Sequence, residues 1–180
     1  MAKHFRRLVV PGSPAFDVGA GRGYYTVVLS RLTGAPVVAI EPEKDLCAML
    51  RATVELNAPR LGNVHIVEQF IAGPSDPDPC VTLDSLVFEK MLPQPSFIKM
   101  DIEGFEGKAL AGAERLLSET QPRLIVEVHG AEQESECLAT LSGHGYLVRR
   151  VEERPLFAER RVIEVNHWLL AAHRDDRVAS

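Results

Sequence analysis

Ala15-Phe16-Asp17-Val18-Gly19-Ala20-Gly21-Arg22-Gly23-Tyr24-Tyr25-Thr26 is the stretch whose reading decides the fold. A short apolar run contains an acid, and three glycines then alternate with other residues before a helical pattern opens. This spells a buried strand, a tight turn and a helix N-terminus, the place where an open α/β sheet receives an adenosine-containing cofactor. Glycine suits the turn because a side chain would hold a ligand off the backbone and because positive φ is cheap there. The spacing is G-x-G-x-G, whereas the dinucleotide fingerprint is G-x-G-x-x-G with a helix N-terminus aimed at a pyrophosphate. Asp17, two residues before Gly19, suits a ligand with positive charge better than one with two phosphates. S-adenosyl-L-methionine, with a sulfonium, an ammonium and no phosphate, meets that description. Asp17, Gly19, Gly21, Gly23 and Tyr24 are therefore the first predicted cofactor contacts.

Outward from this turn, strand and helix patterns alternate. Tyr25, Val28, Leu29 and Leu32 recur at helical spacing, and Gly34 and Pro36 stop that helix. Pro36 to Ile40 is a β-branched strand without alternation, as expected of a parallel strand buried on both faces. Glu43 to Leu56 reads as a helix and Asn63 to Gln69 as a third strand. Pro74, Pro77 and Pro79 make residues 73–79 a loop, and Val81 to Leu86 is a brief extended segment or turn. Ser96 to Asp101 is the fourth strand, followed by one helix from about Phe105 to Glu119, in which Glu106 complements the dipole. Arg123 to His129, a helix over Gln133 to Leu141, Tyr146 to Val151 and Val165 to Ala172 complete the series. The expectation is a doubly wound, mostly parallel, Rossmann-like sheet with an antiparallel hairpin at its C-terminal edge. Met1 to Pro14, basic and punctuated by Pro11, Gly12 and Pro14, reads as a leader without its own core, and 15–180 as one domain. Arg149, Arg150, Arg154, Arg160 and Arg161 read as a solvated rim of that hairpin, with a clamp for an anionic substrate as the other reading.

With 180 residues, 46% hydrophobic and 25% charged, the chain is one domain of ordinary soluble composition. No apolar run approaches the ~20 residues of a membrane span, and Leu8-Val9-Val10 is too short for a signal-peptide core. A net charge of −5 gives no support to a nucleic-acid backbone as partner. Cys47, Cys80 and Cys137 are widely spaced without metal-ligand spacing, so reduced thiols in a cytoplasmic protein are expected, with no metal site.

In such a sheet the ligand lies outside the carboxyl ends of the strands. Polar residues close five consecutive strands. They are Asp17 with its glycines, then Glu41 followed by Pro42, then Gln69, then Asp101 with Glu103, and finally Glu127 with His129. Glu41, about 20 residues beyond the turn, is where an acid receives ribose hydroxyls. For a hydroxyl acceptor whose proton must leave, Asp101, Glu103, Glu127 and His129 are candidate bases. The same four side chains could instead hold a divalent cation, a variant ranked below metal-free chemistry. Lys99, inside its strand, is expected to pair with Asp17 or Glu127.

Asp17-Val18-Gly19-Ala20, Gly23-Tyr24-Tyr25-Thr26, Ala39-Ile40-Glu41-Pro42, Thr82-Leu83-Asp84 and Phe97-Ile98-Lys99-Met100-Asp101-Ile102-Glu103-Gly104-Phe105-Glu106 follow the order of the FkbM-type methyltransferases. The sequence resembles that family from roughly Ala15 to Val148, most specifically in K-x-D-x-E-G-x-E. The resemblance implies a class I S-adenosyl-L-methionine-dependent fold and O-methylation of a hydroxyl on a sugar or natural product. The sequence departs from it in two respects. Gly21 stands where the family commonly has Asn, and only Met1 to Pro14 precedes the first strand. Two alternatives compete with the methyltransferase reading. A nicotinamide-dependent oxidoreductase would use the same strand, turn and Glu41, but the third glycine is one residue early and no Tyr-x-x-x-Lys pair occurs. A non-catalytic adenosyl-binding module is the other.

Overall fold

The computed structural model describes residues 2–77, 79–151 and 167–176. The chain runs through α1 (Ala2–Leu8), β1 (Ala15–Val18), α2 (Tyr24–Thr33), β2 (Val37–Ile40), α3 (Lys44–Asn57), β3 (Val64–Val67), β4 (Phe70–Ile71) and β5 (Cys80–Val81). After a π-helical turn at Ser85–Glu89 it continues through β6 (Phe97–Met100), α4 (Glu106–Ala111), a second such turn at Leu116–Thr120, β7 (Arg123–Val128), α5 (Ala131–Gly143), β8 (Tyr146–Val151) and β9 (His167–His173). Seven strands form one sheet in the order β3-β2-β1-β6-β7-β9-β8, and β4 and β5 pair separately. The first five are parallel; β9 runs antiparallel between β7 and the edge strand β8. This is the doubly wound sheet with an antiparallel C-terminal edge that the alternating pattern predicts.

β1, β2 and β6 are buried along their whole length, which is why they carry no alternation. Their two faces build two cores. Phe16, Val18, Val38, Ile40, Ile98 and Met100 face one way, with Leu110 and Leu141 of the covering helices. Ala15, Val37, Phe97 and Ile125 face the other, beneath Phe5, Leu8, Val9 and Leu29. The stretch read as a leader thus carries a helix whose apolar side is part of the second core: Phe5 is 1% exposed and stacks on Tyr25 at 5.0 Å. Arg123 ties that helix down by donating to the Leu8 carbonyl (3.1 Å) while pairing with Asp176.

The helix expected from Phe105 to Glu119 is broken at Gly112. A Cβ there would meet the Ala72 carbonyl oxygen at 2.7 Å and Thr82 at 3.1 Å, so the β4–β5 segment presses on the backbone. Asp84 then restarts the helix by accepting the Arg115 and Leu116 N–H groups at 2.9 and 2.8 Å, as a capping residue would. The third strand is also shorter than expected, because it ends at Val67 and leaves Gln69 in the link to β4. Cys47, Cys80 and Cys137 are free thiols. Arg149 and Arg150 lie exposed on β8, whereas Arg154, Arg160 and Arg161, with the start of the last predicted strand, fall outside the described residues. Among the described residues no helix is long and apolar enough to cross a membrane.

Candidate active site

At the carboxyl ends of β1, β2 and β6 lies a cleft of about 410 Å³, within the range of small-molecule sites. Gly19, Gly21, Glu41, Pro42, Gln69, Asp101 and Glu103 line it, together with Leu46, Phe70, Ile102 and Phe105. Seven of the residues singled out from the sequence therefore share one wall-to-wall hollow, although 84 positions separate Gly19 from Glu103 in the chain.

The glycine turn is wedged between β1 and β6. A Cβ on Gly19, at φ +74°, would fall 1.8 Å from the Asp101 carbonyl oxygen, so only glycine lets the two strand ends close. Gly21 is different: nothing lies within 4 Å of a Cβ there, and its open side belongs to the cleft. Its N–H donates to Glu41 Oε2 (2.8 Å), and the Glu43 N–H donates to Oε1 (3.0 Å), which fixes the carboxylate on the wall of the cleft. Arg22, next to the Gly21 that stands where the family commonly has Asn, is exposed.

Three predicted cofactor contacts are not on this wall. Gly23 is buried as the N-cap of α2, where a Cβ would meet Leu50 at 2.7 Å. Tyr24 is 72% exposed and packs edge-on against Tyr25. Asp17 is fully buried. Its register neighbour across the β1–β6 ladder is Lys99, so the two side chains emerge on the same face of the sheet. Lys99 Nζ sits 3.2 Å from Asp17 Oδ1 and donates to the Gly19 carbonyl at 2.7 Å, while Thr26 donates to Asp17 Oδ2 at 2.6 Å. The acid of the motif braces the turn from below.

A second group of charges borders the cleft. Lys99 Nζ is 4.0 Å from Asp101 Oδ2, and His129 Nε2 is 3.7 Å from Asp101 Oδ1. The other ring nitrogen, Nδ1, donates to Glu106 Oε1 at 2.7 Å. Glu106 is fully buried and also accepts the Gly104 N–H at 3.1 Å. Burial pushes its carboxyl up, but the bonds from His129 and the backbone outweigh that and hold it below the ordinary value. His129 is raised, chiefly by its bond to Glu106 and against the effect of burial. Glu127 is pushed up to about 7 by burial first and by the Asp101 carboxylate second. Glu103 sits at φ +49°, a left-handed conformation unusual for a residue with a side chain. Glu106, read from the sequence as a dipole partner, and Phe70 and Phe105, which meet edge to face at 4.8 Å across the cleft, were not foreseen as site residues. Only the third residue after Glu103 in the K-x-D-x-E-G-x-E run offered a signal for the first of these. Among the described residues no group of three or more His, Cys, Asp or Glu is arranged to hold a metal ion.

Residues 72–161 match the family described as the Methyltransferase FkbM domain, half of the chain. The chain belongs to the FkbM methyltransferase domain family. S-adenosyl-L-methionine is its methyl donor. Residues 1–70, the glycine-turn half, match the protein-L-isoaspartate(D-aspartate) O-methyltransferase family. Among solved structures, it is similar to an FkbM methyltransferase from Methylobacillus flagellatus (20% identity, TM-score 0.69), covering 95% of its own length and 50% of that chain. It is also similar to a precorrin-6y C5,15-methyltransferase from Geobacter metallireducens (18%, 0.68; 95% and 84% covered). An rRNA methylase from Streptococcus thermophilus is a third (13%, 0.65; 96% and 93% covered). These likenesses establish the class I methyltransferase fold. No curated protein sequence matches the chain.

Proposed function

We propose that the chain methylates a hydroxyl oxygen of a sugar or natural-product small molecule, with the donor held in the cleft of about 410 Å³. The observation that carries this reading is the meeting, in one cleft, of a side-chain-free turn, an oriented carboxylate and a group of proton acceptors. Glu41 would hold the ribose hydroxyls: backbone N–H groups fix its orientation, and each oxygen keeps a lone pair for the ligand. Pro42, Leu46, Gln69 and Phe70 would receive the adenine, a flat apolar ring with a polar edge. Gly19 and Gly21 would let the donor approach the backbone. Asp17 is already held by Lys99 and Thr26, so its part is to brace Gly19 through Lys99. Gly23 and Tyr24 do not line the cleft.

When bound, S-adenosyl-L-methionine supplies a methyl carbon carried by a sulfonium, whose sulfur leaves as a neutral thioether. What the protein must add is alignment, which can supply roughly 7–11 kcal/mol, and a destination for the hydroxyl proton. Asp101 and Glu103 border the cleft and His129 stands behind Asp101, so these three are the groups through which a proton could leave. No metal is needed for that step.

The test is calorimetric titration with S-adenosyl-L-homocysteine and, separately, with NAD. Methyl transfer is then assayed on a panel of monosaccharides, aliphatic and phenolic natural-product alcohols, and ribosomal RNA. Binding of the homocysteine product and an O-methylated small molecule are expected. Binding of NAD alone would return the oxidoreductase reading, binding without any product the non-catalytic one, and methylated RNA alone would remove the small-molecule acceptor.

A further inference from the structure

The geometry points to a proton relay in which His129 takes the acceptor's proton by way of Asp101, with Glu106 as the positioning residue that holds His129 from behind. This rests on the hydroxyl-methylation reading and adds to it the order of the groups. Three observations carry it. Glu106 is fully buried yet ionisable, and its carboxylate is spent on two neighbours, His129 Nδ1 and the Gly104 N–H. A charge in such a place is costly unless it is paired. Because Nδ1 is committed, Nε2 is the free nitrogen, and it is the one 3.7 Å from Asp101 Oδ1. Asp101 in turn lines the cleft. The arrangement repeats the logic of a buried acid that fixes the tautomer of an imidazole and stabilises the imidazolium formed.

In the step itself the acceptor oxygen forms a bond to the methyl carbon, and the carbon–sulfur bond breaks with its electron pair remaining on sulfur. The O–H bond breaks, the proton passes through the Asp101 carboxylate to Nε2, and it leaves for solvent when the product departs. The proton and the lost sulfonium charge balance. The groups facing His129 are Glu106 from α4, Asp101 after β6 and Glu127 from β7, all acidic, and Lys99 of β6 stands behind Asp101 and Glu127. From α5, Cys137 faces Glu106 as a neutral thiol, its ionisation pushed up to about 12 by burial. Glu134 is taken up by His167 and Arg150.

The experiment uses the full chain and three readouts on wild type, Glu106→Gln and His129→Asn: the titration of His129 by imidazole NMR, S-adenosyl-L-homocysteine affinity, and the pH profile of kcat on the hydroxyl panel. Glutamine can keep the bond to Nδ1 and removes the charge, while its NH2 replaces the oxygen that accepts the Gly104 N–H. The relay requires that Glu106→Gln lower the midpoint of His129 titration and move the kcat inflection down with it. It also requires kcat above that inflection to drop by on the order of 100-fold while affinity for the homocysteine product holds. His129→Asn should abolish the inflection, which serves if the Glu106 variant does not fold. An unchanged pH profile in either variant overturns the relay, as does a His129 midpoint indifferent to Glu106. If the wild type fails to bind S-adenosyl-L-homocysteine, or binds it and methylates no hydroxyl, the functional reading has failed. The NMR titration is independent of both and still reports whether Glu106 controls the ring.

Discussion

Two groups of acids stand about one strand apart at the same edge of the sheet, and they are treated in opposite ways. Beneath the glycine turn, Asp17 has Lys99 and Thr26, is sealed from solvent, and touches nothing in the cleft. Across β6, Asp101 and Glu127 crowd each other, and Glu127 is driven up to about 7. Lys99 serves both sides but sits closer to the first, 3.2 Å against 4.0 Å. One cluster is neutralised and holds the fold; the other keeps surplus negative charge and a mobile proton beside the site. Structural ion pairs satisfy themselves, whereas acid–base chemistry needs groups whose pKa values neighbours have pushed apart.

Gly19 is the joint between the two, because its carbonyl receives Lys99 and its α-carbon abuts the Asp101 carbonyl. Gly19→Ala should therefore be the most damaging change, costing about 4 kcal/mol or more since backbone must move and φ is positive. Gly21→Ala, two residues on, has open space and should cost only about 1 kcal/mol of left-handed strain. Urea denaturation of both variants checks this, and equal losses would mean that the close approach to Asp101 does not govern the turn.

Asp17→Ala tests the neutralised side. It strands a buried ammonium, so stability should fall by about 3–5 kcal/mol, and the double change Asp17→Ala with Lys99→Met should recover most of it. If the single variant melts like wild type while binding S-adenosyl-L-homocysteine poorly, Asp17 belongs to the site and the division between the clusters is wrong.

The sheet order was legible because hydrophobic runs and Gly or Pro stops are local. So were Gly19, Gly21, Glu41 and Asp101, since each falls at a strand end that a switch-point rule can locate. The pairing of Lys99 with Asp17 was legible as one of two options, Glu127 being the other; that it takes Asp17 out of the ligand's reach was not, because only ladder register sets the choice. The Glu106–His129 pair was hidden for the same reason: 23 positions separate them, and only the packing of α4 beside β7 closes the gap. The break at Gly112 likewise depends on Asp84 and Ala72 from another segment. α1 is a different matter. Phe5, Leu8 and Val9 sit at i, i+3 and i+4, and that periodicity stood in the sequence beneath a basic, proline-closed surface.

Glu41 lies on the cleft yet belongs to neither cluster, so it separates binding from both. Glu41→Ala removes a charged acceptor of hydroxyls, worth about 1.5–3 kcal/mol, or roughly 10–150-fold in affinity for S-adenosyl-L-homocysteine. Calorimetry should find that loss, with stability lowered by only about 1–2 kcal/mol as the Gly21 and Glu43 N–H groups lose their acceptor. An affinity equal to wild type would detach the cofactor from this wall.

The gentlest test falls on the crowded side. Glu127 ionises near 7 in the native chain against an ordinary 4.5, so between those values the native state holds more protons than the unfolded one. Stability must then fall as pH rises through that window and level off above it. His129, raised in the native state, contributes stability that is also lost as pH rises through its folded value, while Glu106, lowered, gives stability that is lost under acid. The difference between wild type and Glu127→Gln cancels the shared part of those two. It should be near zero at low pH and grow to about 1 kcal/mol in favour of the variant at about pH 8, a figure kept small because the half-buried carboxylate is partly screened by solvent. Urea melts across pH measure it. A variant less stable than wild type at alkaline pH would mean that Glu127 is paired as firmly as Asp17, and the contrast between the two clusters would vanish.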